Sequence, residues 1–297
     1  MNHGPLIFLG VLASFLASWW GLVFAPQIQV GSQQATQAEN GAYPVRRVGL
    51  AQQGREVYVA SGCVQCHSQQ VRQEGYTFNV EISSVGTNGA DVAKVLARIA
   101  PEFKQDAALA GVSEKSPVMI LKAVPQKIAA SSQGALVEAG ATAQAIFIPL
   151  GADITRHWGT RRSVGADYLF DEPVQVGNSR LGPDLSNIGA RMPLAGWHLL
   201  HLYHPHTVLP GSVMPAYRYL FETRAKVGNK SSPDALKLTG TFAPPAGFEV
   251  VPKPEALKLV AYLQSLRVET SLFEAPLTPV PAPVADTNAP VVGGTTP

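Results

Sequence analysis

The two cysteines of the chain lie three positions apart, and a histidine follows the second one directly. Cys63, Cys66 and His67 form a CxxCH pattern, and the 297 residues contain no other cysteine. Two intervening residues set the thiols about one helical turn apart. In this pattern two thioether bonds hold a haem and the adjacent imidazole ligates its iron. The motif therefore predicts one covalently bound haem c.

Two other uses of a CxxC pair are open at this point. A redox dithiol would need a thioredoxin-like βαβ context, and half of a zinc site would need two further ligands; neither is evident near residues 63–67. Two cysteines cannot form a disulfide framework. The near balance of 23 basic and 21 acidic side chains argues against a nucleic-acid partner.

An uncharged apolar segment opens the chain. The first 38 residues contain no Lys, Arg, Asp or Glu, and Leu6–Phe24 is a run of 19 largely apolar residues. As a helix this run would cross most of a hydrocarbon core of about 30 Å. Trp19 and Trp20 suit a membrane interface, and Pro26 suits a helix stop. A cleaved signal peptide is one alternative, although a charged start and an A-x-A site are lacking, and a buried helix of the globular part is another. We predict a retained transmembrane anchor.

Helical patterns flank the haem motif at both ends of the chain. Gly54 and Tyr58 lie in a short helix that leads into it, and residues 254–266 carry apolar side chains at helical spacing behind Pro254. This arrangement resembles class I cytochromes c, in which the first and last helices cross beside the haem. A merely amphipathic surface helix is the alternative for residues 254–266.

The resemblance to class I cytochromes c assigns two further site residues. Met214 lies in a Pro- and Gly-bounded loop that resembles their methionine loop, which makes it the expected second iron ligand; a buried methionine can also be only gap filler. Residues 181–185 (LGPDL) resemble the loop whose proline carbonyl accepts a hydrogen bond from the ligand histidine, the role of Pro183. His/Met ligation leaves no position for a substrate, so we expect electron transfer and no catalytic residue.

Four histidines, His198, His201, His204 and His206, lie within nine residues. A histidine-rich tract can bind a metal. Their neighbours are mainly apolar, which favours packing or contacts beside the haem. Ligation of the haem iron by one of them and a separate metal site are the alternatives.

A longer block narrows the family. Residues 161–185, 197–205 and 214–217, together with the haem segment and the N-terminal helix, resemble the mono-haem subunit II of cbb3-type cytochrome c oxidases. The resemblance implies a single-pass protein of the bacterial inner membrane, in contact with lipid, whose globular part is periplasmic. It implies relay of single electrons from other c-type cytochrome subunits or a soluble cytochrome c to the large polytopic haem-copper subunit. It also implies a structural calcium near Ser163.

Two other functions are carried as alternatives. One is an independent membrane-anchored electron carrier that serves another respiratory complex or a dehydrogenase. The other is an interaction scaffold whose cysteine pair is structural. Copurification with a polytopic subunit separates the first alternative from an oxidase subunit, and the absence of covalent haem would favour the second.

The family pattern is interrupted by residues 75–152. Alternation predicts strands at 76–85 and 143–149, and helical spacing predicts helices at 90–99, 116–130 and 134–139. This β-α-α-α-β order has adjacent ends, as an inserted domain requires. Its pattern, especially at residues 120–125 and 135–141, resembles, at the level of fold only, the C-terminal domain of the bacterial ribosomal stalk protein. We expect it to dock or pack against protein; a spacer without specific function is the alternative.

The sequence therefore predicts a mainly α protein in four parts. These are an N-terminal transmembrane helix in residues 1–30, a discontinuous class I cytochrome c domain in 45–74 and 153–270, a small α+β inserted domain in 75–152, and a Pro-rich flexible tail in 271–297.

Overall fold

The chain divides into two compact units. The computed structural model describes residues 3–38, 41–103, 111–228 and 230–277. The first unit contains the chain up to Arg72 together with Arg156–Ala275, and the second contains Gln73–Thr155. Most of the predicted tail, residues 278–297, lies outside the described residues.

The N-terminal segment is one continuous helical run. Helix α1 (Gly4–Trp19) leads through a π-helical turn (Trp20–Phe24) into α2 (Ala25–Gly31). The run has a mean hydropathy of 2.0 over Gly4–Gln29 and is long and apolar enough to cross a membrane, so it could be an anchor.

Pro26 does not end this helix, which corrects the expectation of a helix stop there. The N–H of Ala25 donates to the carbonyl of Trp20, five residues back, which is the wider spacing of a π-turn. Such a local widening is one of the ways in which a helix accommodates a proline and the hydrogen bond that the proline lacks.

The other helices and strands are short. In the described part of the chain they form three separate antiparallel sheets and a set of helices of four to 13 residues. In chain order they are β1 (Thr36–Ala38), β2 (Gly41–Tyr43), α3 (Leu50–Ala60), β3 (Gly75–Ser84), α4 (Gly89–Ile99), β4 (Val118–Val124), α5 (Gln126–Glu138), β5 (Thr142–Leu150), α6 (Ala152–Thr155), α7 (Ile188–Arg191), α8 (Ala195–Tyr203), β6 (Phe221–Ala225), β7 (Phe248–Pro252) and α9 (Pro254–Ser265).

The core of the first unit is built on the contact between α3 and α9. A Cβ atom at Gly54 would lie 1.8 Å from the backbone oxygen of Lys258, so the two helices approach backbone to backbone. One turn further along, the rings of Tyr58 and Tyr262 lie 5.2 Å apart, and both side chains are fully buried. The glycine is thus required for close packing, and the tyrosine pair fills the space beside it.

A buried ion pair joins three distant segments of the first unit. Arg161 is 0% exposed and donates to both carboxylate oxygens of Asp167, at 2.7 and 3.1 Å. Tyr43 donates from its hydroxyl to the same carboxylate at 2.7 Å, and the Nε of Arg161 donates to the carbonyl of Thr270 at 2.7 Å. The buried charges are therefore paired and hydrogen-bonded, as burial requires.

In its described residues, the second unit has a three-stranded antiparallel sheet, the two longer helices α4 and α5, and the short helix α6 at its end. The strand order is β4-β3-β5, and β3 pairs with β5 along its whole length from Gly75, opposite Leu150, to Ser84, opposite Thr142. Its core joins Val80 and Ile82 of β3 with side chains of α4 and α5, Val92, Leu96, Ala129 and Leu136.

The predicted helix at residues 116–130 is wrong for its first part. Residues 118–124 form strand β4, and α5 begins after Pro125 and continues to Glu138, which also merges the helix predicted at 134–139 with it. Pro125 precedes a helix instead of disturbing one, a position that suits its fixed φ and missing N–H. From β3 to β5 the described residues thus follow the order β-α-β-α-β. Residues 104–110 lie outside them, and the docking role stays a prediction.

The contact at Gly54 generates a stability prediction. We expect Gly54→Ala to lower the free energy of unfolding of the first unit by about 3 kcal/mol, because the new methyl group would overlap a backbone oxygen that cannot move alone. Thermal unfolding followed by circular dichroism measures this. Gly196→Ala is the matched control, since a Cβ atom at this glycine of α8 meets no atom within 4 Å. Equal stability of the two variants would contradict the prediction.

Candidate functional site

A cavity of about 340 Å³ in the first unit collects the predicted site residues. Cys63, Cys66, His67, Pro183 and Met214 all line it. Among the described residues, the lining contains no Asp, Glu, Lys or Arg side chain. The remainder of the lining is Tyr58, Leu181, Gly182, Leu185, Ile188, Trp197, His198, His201, Leu202, Leu209, Gly211, Ser212, Val213, Pro215, Tyr217, Leu259 and Leu263.

The cysteine motif forms a tight turn at the end of α3. Gly62 adopts a left-handed conformation with φ of 70°, which ends the helical path and starts the 3₁₀ turn Cys63–Gln65. The N–H of His67 donates to the carbonyl of Cys63 at 3.0 Å. Both thiols are free, and burial raises the pKa of the Cys63 thiol to about 11. The turn thereby presents two thiols and an imidazole to one cavity.

The ring of His67 is oriented by a hydrogen bond to the loop at residues 181–185. Its Nδ1 lies 2.8 Å from the carbonyl oxygen of Pro183. A carbonyl can only accept, so Nδ1 carries the hydrogen, and Nε2 keeps its lone pair. Burial lowers the pKa of His67, against the opposing effects of this hydrogen bond and of the Asp184 carboxylate. The imidazole is therefore held in the neutral form and the tautomer that a metal ligand needs.

Close packing against His67 requires a glycine before Pro183. A Cβ atom at Gly182 would lie 2.2 Å from Cε1 of the His67 ring. The Gly182 N–H donates to the carbonyl of Cys66 at 3.0 Å, which holds the two segments together. The backbone of this loop therefore forms one wall against the imidazole.

Met214 reaches the cavity from a loop that is fixed by several hydrogen bonds. The Nε2 of His206 donates to the carbonyl of Ser212 at 2.8 Å, and the Met214 N–H donates to the Ser212 hydroxyl at 3.3 Å. The Tyr217 N–H donates to the carbonyl of Leu202, at the end of α8, at 2.9 Å. Within the described residues, Met119 and Met192 do not line the cavity, so Met214 is the thioether that is available there.

The four clustered histidines have different surroundings. His198 is buried and its Nε2 donates to the carbonyl of Met192 at 2.7 Å, whereas the ring of His204 lies 4.6 Å from that of Phe242. His201 lines the cavity and stacks on Trp197, with 4.8 Å between ring centroids. Burial, with the neighbouring His67 and His198, lowers the pKa of His201 to about 4. In the part of the chain that the structure describes, no group of three or more His, Cys, Asp or Glu side chains is placed to hold a metal ion.

The predicted calcium near Ser163 stays a prediction. The Ser163 hydroxyl accepts a hydrogen bond from the Val71 N–H at 2.9 Å, and its own N–H donates to the Val71 carbonyl at 3.0 Å. These contacts join the haem segment to the residues that follow Arg161. They account for the position of Ser163 by hydrogen bonding within the chain.

Asp184 is the site residue to which sequence reasoning gave no role. Its side chain is fully buried and accepts hydrogen bonds from the Ser68 hydroxyl at 2.6 Å and from the Gln70 and Ser186 N–H groups at 2.7 and 2.8 Å. The available signal was a charged residue directly after Pro183 in an otherwise apolar loop. The partners that explain it lie 114 and 116 residues away, and a local pattern does not reveal them.

The residues around the cavity fit a covalently attached haem. Two free thiols, the imidazole of His67 and one thioether line it together with His198 and His201, and haem iron takes histidine and methionine ligands. The rest of the lining is largely apolar, which suits a flat hydrophobic macrocycle. A volume of about 340 Å³ lies within the usual range of about 300–1,000 Å³ for ligand sites.

Comparisons with known proteins identify the family. Residues 95–245 match the family model described as cytochrome c oxidase, mono-heme subunit/FixO. The match includes Pro183 and Met214, begins within the second unit and does not include the CxxCH motif. The comparison with curated proteins finds no match. Because the matched range is more than half of the chain, the protein belongs to the FixO family of mono-haem cytochrome c oxidase subunits, the family of cbb3-type oxidases that its sequence resembles.

Proposed function

We propose that this chain is the membrane-anchored mono-haem subunit of a cbb3-type oxidase and relays single electrons to the catalytic subunit. The observation that carries the proposal is the common cavity of Cys63, Cys66, His67 and Met214. Family membership supplies the complex in which such a relay would work.

Four side chains would hold the haem. The thiols of Cys63 and Cys66 would each add across a vinyl group, which forms two C–S bonds with no net oxidation or reduction. Nε2 of His67 and the sulfur of Met214 would be the two protein ligands of the iron. When bound, the haem supplies an iron that takes up and releases one electron. Because both axial positions would be filled by protein atoms, we assign oxygen reduction to another subunit.

The remaining cavity residues would tune the site. The Pro183 carbonyl accepts the Nδ1 hydrogen of His67, which fixes the ring and makes Nε2 a stronger donor. The lining without charged side chains limits water around the site and favours the less charged, reduced state. Leu181 and Val213, which are 73% and 84% exposed, border the cavity where a partner would approach.

The orientation in the membrane follows from the chemistry of attachment. Residues 4–29 would be the anchor, in contact with lipid on all sides. Covalent haem attachment takes place outside the cytoplasmic membrane, so the globular part would be periplasmic. There it would accept electrons from other c-type cytochrome subunits or a soluble cytochrome c.

Purification in mild detergent tests the assignment to an oxidase. We expect the chain to copurify with a polytopic subunit that contains b-type haem and copper, and to retain haem on a denaturing gel. A double variant with Cys63→Ala and Cys66→Ala should lose the haem on that gel. Isolation of the haem-bearing chain alone would favour an independent carrier, and a mass equal to that of the bare polypeptide would contradict haem c.

Replacement of Met214 tests the second axial ligand. We expect Met214→Ala to keep its haem, to lower the reduction potential by on the order of 100 mV and to bind exogenous imidazole, because an axial position is opened. Redox titration and absorption spectroscopy measure this. Met192→Ala is the matched control, since Met192 packs against the same core without lining the cavity. An unchanged potential in Met214→Ala would exclude this ligand.

Replacement of Gly182 tests the position of His67. We expect Gly182→Ala to reduce the haem content per polypeptide about tenfold, because the new methyl group would displace the imidazole. Gly211→Ala is the control, since Gly211 also lines the cavity but a Cβ atom there meets no atom within 4 Å. Haem content is measured by absorbance against protein concentration. A normal content and spectrum in Gly182→Ala would refute the prediction.

A further inference from the structure

The carboxylate of Asp184 is a buried charge in direct contact with the haem-binding segments. Its side chain is 0% exposed, and burial of an ionised carboxylate is costly unless hydrogen bonds replace its water. Here Oδ2 accepts from the Ser68 hydroxyl and the Gln70 N–H, and Oδ1 accepts from the Ser186 N–H. A guanidinium nitrogen of Arg180 lies 3.8 Å from Oδ2. These hydrogen bonds and the nearby guanidinium therefore stabilise an ionised carboxylate at this position.

Asp184 and its partners lie close in the chain to His67 and Pro183, the two residues joined by the hydrogen bond that orients the imidazole. Ser68 follows His67 directly and Gln70 lies three positions after it, whereas Asp184 itself follows Pro183. The carboxylate thus joins the segment after the histidine to the segment after the proline. The Leu185 N–H donates to the carbonyl of Ser68 at 2.8 Å, which adds a backbone bond in the same place.

The hydrogen bond from His67 to Pro183 depends on this junction. It spans 2.8 Å between two chain segments that are 116 residues apart, and only contacts beside it can fix the direction of the Pro183 carbonyl. Arg191 reinforces the loop by donating to the backbone carbonyl of Asp184. Loss of the Asp184 carboxylate would free the carbonyl that aims at Nδ1.

We propose that Asp184 is a positioning residue for His67, and that its buried negative charge lowers the reduction potential of the site. This inference rests on the proposed haem-carrying function. A negative charge in a poorly solvated site favours the more positive, oxidised state. Secure orientation of the Nδ1 hydrogen bond acts in the same direction, because it makes the imidazole a stronger donor.

The variant Asp184→Asn tests the charge in the full-length, haem-loaded protein. An amide has nearly the same shape but no charge, and its NH₂ group cannot accept from the Gln70 or Ser186 N–H. We expect the equilibrium constant for reduction to rise about tenfold, which is about 59 mV for one electron. Redox titration measures the shift.

A matched control separates this effect from a general loss of packing. Asp167→Asn removes another buried, hydrogen-bonded carboxylate from the same unit, where its partners Arg161 and Tyr43 do not line the cavity. We expect it to lower stability and to leave the reduction equilibrium constant within threefold of that of the unchanged protein. An equal shift in both variants would overturn a specific role for Asp184.

A second variant tests the positioning role if Asp184→Asn does not accumulate as folded protein. Ser68→Ala keeps the charge and removes one of the three hydrogen bonds. We expect the Nδ1 proton of His67, observed by NMR, to exchange with solvent at least threefold faster. An unchanged exchange rate would then overturn the positioning role.

The outcomes distinguish the inference from the function on which it rests. If the unchanged protein carries no covalent haem, both are wrong. If it carries a His/Met-ligated haem but Asp184→Asn keeps a reduction equilibrium constant within threefold of the unchanged value, the function stands and the role of Asp184 is refuted.

Discussion

The hydrogen bond between His67 and Pro183 is the contact on which the organisation of the site depends. It joins segments that are 116 residues apart and, in a single interaction, selects the tautomer, the direction and the ligand atom of the imidazole. Gly182 permits the approach, and Asp184 fastens the loop beside it. The Gly182 and Leu185 N–H groups donate to the carbonyls of Cys66 and Ser68, so several bonds hold the loop at residues 181–185 against the CxxCH turn, and the bond to Pro183 is the one that orients the imidazole.

The grouping of the candidate residues at one cavity was predictable because they lie in short sequence patterns, whereas their role as haem ligands stays a prediction. Cys63, Cys66 and His67 are adjacent in the chain, and the loops around Pro183 and Met214 have compositions that resemble those of a known family. The structure brings all five to one cavity. The role of Asp184 was not predictable, because it consists of hydrogen bonds to residues beyond any local window. Buried polar contacts of this kind are specified by the fold as a whole.

The error in the second unit has a related cause. Residues 118–124 carry Val118, Ile120 and Val124 at alternate positions, but the neighbouring Lys122 and Ala123 and the helical run after Pro125 made a longer helix equally consistent with the sequence. Pairing with β3 decides the outcome, because Val80 and Ile82 supply both the backbone partners and the buried face. For a short apolar run, tertiary context outweighs intrinsic preference.

The second unit places some 83 residues between the two chain segments that form the site. Loop-closure entropy grows only with the logarithm of length, so lengthening the connection from His67 to Pro183 by this amount costs roughly 1 kcal/mol. The pairing of β3 with β5 reduces even this cost. Gly75 lies opposite Leu150, and the Glu74 N–H donates to the Leu150 carbonyl at 2.9 Å, so the ends of the unit are held together by its own sheet. Once the unit is folded, its paired ends act as a short connection in place of a long flexible one. The contacts at Gly54 and His67 then need to close only the loop formed by the remaining residues.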